Sequence, residues 1–181
     1  MTINPRVKRN FVVVLRDLVI ALGVRRLVLY VATAAAATVA TLTLTGAVPQ
    51  RLQITVTPTA AASGMNLAIN QPTVKVADLN AQTNWPFGYT VTVASENVTA
   101  ARCTAPCFYS PSQTDTLTFV LYRGATPITF SGTSAQFIAT AAKSAHSGDP
   151  YDVQVSYNGA TVVLTQATDY VENLTFTISN H

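Results

Sequence analysis

The chain has 181 residues, enough for one ordinary domain and some additional length. Charged residues make up only 10% and hydrophobic ones 49%, against about 25% charged in typical soluble domains; Thr, Ala, Ser, Asn and Gln take the place of the missing charge. Such a chain is too apolar to be disordered. The net charge of +3 is unevenly placed: residues 1–47 carry +5 and residues 48–181 carry −2. Five scattered cations on the body do not form the basic patch that nucleic acid requires, so no nucleic-acid partner is expected.

In chain order, the first element is Leu27–Gly46 (LVLYVATAAAATVATLTLTG), uncharged and directly behind Arg25 and Arg26. Basic residues, an apolar run and then small residues make the layout of a signal peptide. Thr45-Gly46-Ala47 offers the small residues for cleavage after Ala47. Residues 1–47 are therefore assigned as a leader containing a hydrophobic helix, and 48–181 as the folded domain. A retained anchor is the rival reading, because about 20 apolar residues span a bilayer; Ala and Thr contribute little to insertion, which favours cleavage. The membrane is a partner only through residues 27–46 if they stay uncleaved. The apolar stretch Asn10–Val24 makes the leader longer than the usual ~15–30 residues. A translation start at Val24 is one account of it. An amphipathic surface helix with Arg16 and Asp17 on its polar side is another.

After Ala47 the apolar period is two. Leu52, Ile54 and Val56 alternate with Gln53, Thr55 and Thr57. The same pattern recurs at Tyr89–Val93, Leu117–Leu121, Val153–Tyr157 and Leu174–Ile178, and it marks antiparallel strands with one face buried. Thr73–Leu79 and Ala135–Ala142 also read as strands, the latter alternatively as a helical turn. Asn158-Gly159, between YDVQVSY and ATVVLTQ, predicts a tight hairpin. Arg123-Gly124 and Ser131-Gly132 bracket a short ITF strand. The fold class that follows is all-β: a single antiparallel, immunoglobulin-like β-sandwich of about seven to nine strands.

Residues able to carry chemistry are few. Cys103 and Cys107 (RCTAPCFY) form a C-x3-C pair, expected as a disulfide in an exported protein. The loop they close is small, so the bond contributes about 2 kcal/mol and mainly shapes the loop. Redox motifs favour C-x-x-C, and a metal site lacks further soft ligands; no metal and no cofactor are expected. His146 and His181 are the only histidines, both in polar surroundings without a catalytic context. Ser131-Gly132-Thr133-Ser134 lacks the strand–elbow–helix setting of a nucleophile. Asp149 and Asp152 bracket Pro150-Tyr151 and read as a turn before a strand rather than as a calcium loop, which needs six to eight oxygens. The chain is read as non-enzymatic. Trp85, Phe87 and Tyr89 (WPFGY) are the candidate binding aromatics, with core packing as the competing role for Trp85. Asn97-Val98-Thr99 and Asn173-Leu174-Thr175 match the glycosylation sequon and are read as coincidental.

The strand Leu52–Pro58 (LQITVTP) just after the leader and the closing segment Asp169–Asn180 (DYVENLTFTISN) resemble bacterial surface and fimbria-like β-sandwich proteins of chaperone–usher or spore-coat-U type. The close cysteines and the long leader depart from that pattern. The resemblance implies a secreted or surface-displayed structural or adhesive subunit. Its partners would be copies of itself or other surface subunits, and Leu52, Ile54 and Val56 would form a donor strand that completes a neighbour. The alternative reading is a secreted or periplasmic module that binds carbohydrate or protein through its loop aromatics.

Overall fold

The computed structural model describes residues 42–181; the leader helix and the readings of residues 10–41 lie outside the described residues. Residues 46–181 form one unit. Its strands are β1 (Leu52–Pro58), β2 (Asn70–Thr83), β3 (Tyr89–Ser95), β4 (Cys107–Tyr109), β5 (Thr116–Arg123), β6 (Thr126–Ile128), β7 (Ser134–Ala139), β8 (Asp149–Asn158) and β9 (Leu174–Asn180). One four-residue helix, α1 (Glu96–Thr99), and two 3-10 turns interrupt them.

All described pairings between strands are antiparallel. The larger sheet runs β1-β2-β8-β5-β4, with β6 also on β5; the smaller runs β7-β3-β9. Alternation decides which face goes inward. Leu52, Ile54 and Val56 stand opposite Thr83, Ala81 and Leu79, all three buried, so the apolar face of β1 points to the core side. Leu79, Leu121, Val153 and Val155 of the larger sheet meet Tyr89, Val91, Phe137 and Ile138 of the smaller in one hydrophobic cluster. Tilted and edge-on aromatic pairs fill it: Phe108 with Phe119 at 4.9 Å, and Phe137 with Phe176 at 5.2 Å. Tyr89 ties the layers together, its hydroxyl donating to Asp149 Oδ2 at 2.8 Å and lying 3.2 Å from the Tyr151 hydroxyl. Burial and these two partners push the Tyr89 phenol well above its ordinary range.

The Asn158-Gly159 hairpin does not form. Asn158 ends β8 with φ −130°, and Gly159–Thr161 make a 3-10 turn. Residues 162–173 then run as a long loop with no strand, and Val163 is 99% exposed. Gly159 is needed for another reason: its N–H donates to Ile69 O, and a Cβ there would collide with the Leu67 carbonyl. A close backbone approach uses the same residue that a positive-φ turn would.

Candidate functional site

The two sheets differ in width, and an apolar opening lies where they do. Five strands span about 24 Å and three about 14 Å at ~4.8 Å per strand, so the smaller sheet leaves part of the larger one's inner face uncovered. The shortfall falls at β1 and β9, which lie side by side with no ladder between them. A cleft of about 280 Å³ opens there, walled by Val56 and Pro58 of β1, Val76 of β2, and Leu174 and Phe176 of β9. A second hollow of about 530 Å³, under the 164–170 loop, shares Ala62, Met65, Phe108 and Tyr170 with it. Along the seam Leu52 is 39% and Val56 37% exposed, and Leu174, Phe176 and Ile178 are half-buried.

Two carboxylates fasten the loop over this opening. Asp115 accepts from Thr165 N at 2.7 Å and from the Tyr170 hydroxyl. Asp169 accepts from Ser110 Oγ and from Ser112 N. The Thr165 N–H chiefly holds Asp115 below the usual carboxylate range, and the Ser110 hydroxyl does the same for Asp169.

The approach to β9 is pinned by a polar hub. Asn97 is buried; its Nδ2 donates to Cys107 O at 2.8 Å and Val171 O at 2.7 Å, while Arg102 donates to its Oδ1. Glu172 accepts from Ser95 Oγ at 2.7 Å and from the Asn97 N–H. Cys103 and Cys107 are joined in a disulfide beside this hub. The bond fixes the chain next to β4, where Cys107 N also faces Glu172. Asn97 of the first sequon is thus a structural amide with its donors engaged.

The sequence-predicted donor residues Leu52, Ile54 and Val56 sit in β1, paired along its length with β2 of the same chain. The three aromatics do not act as a set. Tyr89 is in the core, Trp85 donates its indole N–H to His181 O at 2.9 Å, and Phe87 is 65% exposed against the Trp85 ring at 5.8 Å. Asp149 and Asp152 turn to different partners, the former to Ala145 N and Tyr89, the latter to Lys75 at 2.7 Å. Ser144 Oγ is spent on the Thr83 backbone, accepting from its N–H and donating to its carbonyl. The sequence pattern did not single out Met65, Phe108 and Tyr170 as cleft-lining residues. The only signal for them was an isolated aromatic or Met outside a period-two run, which carries no position in space.

The chain matches no protein-family model, and no curated protein is significantly similar to it.

Proposed function

We propose that this chain is an exported structural or adhesive surface subunit, non-enzymatic, whose immunoglobulin-like sandwich self-associates by strand exchange: β1 leaves its own β2 and docks on the β2 of a second copy. One observation carries the reading. β1 is an edge strand that is apolar on its inner face and uncharged throughout, and it rests on one neighbour beside an unsealed cleft. Edge strands are normally blunted by Lys or bulges; this one carries only Pro58 at its last position. The connection from β1 to β2, residues 59–69, is long enough to act as a hinge. An exchanged strand recovers the same contacts, so the balance between copies is set by concentration and hinge strain. If donor and acceptor pair head to tail, the exchange extends into filaments. The disulfide supports an oxidising compartment, and the apolar run behind Arg25 and Arg26 supports export.

The test is the sheared surface fraction of producing cells, run on denaturing gels with and without boiling. A ladder of multiples that collapses on boiling, built of chains starting near Val48, is the expected result. A single monomer band in the periplasm or medium overturns it. The exposed Phe87 beside Trp85 favours a second reading, a carbohydrate- or protein-binding module, and that monomer band would move the assignment there.

A further inference from the structure

At the opposite end of β1 from the cleft, a cavity of about 650 Å³ lies between residues 48–51, the end of β2 and the β7–β8 loop. We propose that it binds an acidic saccharide, with Arg51, Lys143 and His146 facing the carboxylate and Asn84 ordering one wall. Residues 48–51 run into β1, so after strand exchange the same site would form between this segment of one copy and the β2 end of the other.

The charge distribution carries the inference. The body has five Lys and Arg residues. Lys75 is paired with Asp78 at 2.6 Å and Asp152 at 2.7 Å. Arg102 is held by Asn97 and Glu96, and Arg123 donates to the Phe137 carbonyl at 2.8 Å. Among the described residues only Arg51 and Lys143 meet no carboxylate and no buried carbonyl; Arg51 Nη2 donates only to the exposed Gln53 Oε1 at 3.2 Å, and both residues line this one cavity together with His146. No acidic residue among those described lines it. Like charges gathered around one concavity repel, in a body whose net charge is −2; an anion between them removes that cost and receives charge-assisted hydrogen bonds.

The walls are held in place rather than loose. Asn84 accepts the Arg51 N–H at 2.7 Å, donates to Pro49 O at 2.7 Å, and gives its own backbone N–H to Arg51 O. On the facing side Ser144 is fastened to Thr83, and Gln82 donates to His146 O. The volume lies in the range of small-molecule sites and far exceeds an inorganic anion. Val48, Pro49 and Ala145 add apolar surface to the polar wall, which suits the C–H faces of a pyranose ring.

The test is an amide NMR titration of the chain, processed and isolated as its producing cells make it, with glucuronate, glucose and inorganic phosphate as separate probes. Glucuronate is expected to give saturable shifts at Asn84, Lys143 and His146, with no such response to glucose. The Arg51→Gln/Lys143→Gln pair is expected to weaken binding about tenfold, the scale of a lost charge-assisted contact. Both side chains are exposed, and Lys143→Gln alone provides a check if the pair disturbs the spectrum. Absence of saturable shifts with glucuronate, an equal response to glucose, or unchanged binding in the variants overturns the proposal. Phosphate saturating at the same concentration with the same shifts also overturns it, because the site would then read an anion and no sugar.

Discussion

The two sides of this β-structured domain are built from the same alternating pattern and end in different states. On the closed side, Leu121 of β5, Val153 of β8 and Phe137 of β7 are almost fully buried because each strand faces an opposing sheet. On the open side, Leu52, Val56, Leu174 and Phe176 follow the same period and remain partly exposed. Alternation specifies which face of a strand is apolar; the number of strands opposite decides whether that face is covered. An edge strand whose apolar face is only partly covered has the least to lose by leaving its own sheet.

Substitutions on the two sides should separate accordingly. Phe137→Ala, at 1% exposed, is expected to cost about 3–5 kcal/mol in a denaturant melt. A loss below about 1 kcal/mol would mean the closed side is not packed as described. Asn97→Ala leaves the Cys107 and Val171 carbonyls and the Arg102 donor without their amide partner. Its expected cost is about 1–3 kcal/mol in the same melt. The seam is more forgiving: Val56→Ala should cost about 1 kcal/mol or less, since a third of that residue already meets water. A seam loss equal to the Phe137 loss would erase the distinction between the sides.

The smallest expected effect is acid release of the 162–171 loop. Asp115 and Asp169 have folded pKa values below their ordinary ones. Their contribution is therefore complete above the unfolded value near 4 and is lost as pH falls through the depressed folded values. Tyr170 and Thr165 resonances should move in that acidic window while those of Val153 and Phe137 stay fixed. Simultaneous movement of both sets would show global unfolding instead.

Much of the fold was legible in the sequence, and the reasons for the rest are specific. Five of the nine strands came from runs such as Val153–Tyr157, where alternation and β-branched residues agree. β2 is twice the expected length: Thr73–Leu79 read as strand, while Asn80–Thr83 continue it with only the small Ala81 and the polar Thr83 turned inward, too weak an apolar signal to read. β4 was missed because three residues, Cys107–Tyr109, are too few for a period. Asn158-Gly159 misled because close approach and positive φ leave the same residue in a sequence. The Cys103–Cys107 bond, expected from the reading of the chain as exported, is present. The seam was not legible, because it depends on which strands become edges. The cationic cavity was not either, since Arg51, Lys143 and His146 meet only through topology.

The most direct test of strand exchange uses the register of β1 on β2. Thr57 and Asp78 stand opposite each other, both exposed on the outer face. The double variant Thr57→Cys/Asp78→Cys, oxidised on producing cells and run on non-reducing gels, reports whether the two strands belong to one chain. Exchange predicts disulfide-linked dimers, or a ladder of multiples where it runs head to tail, that reduction collapses to monomer. Efficient oxidation with every chain remaining a monomer would show that β1 stays on its own β2, and would contradict the account.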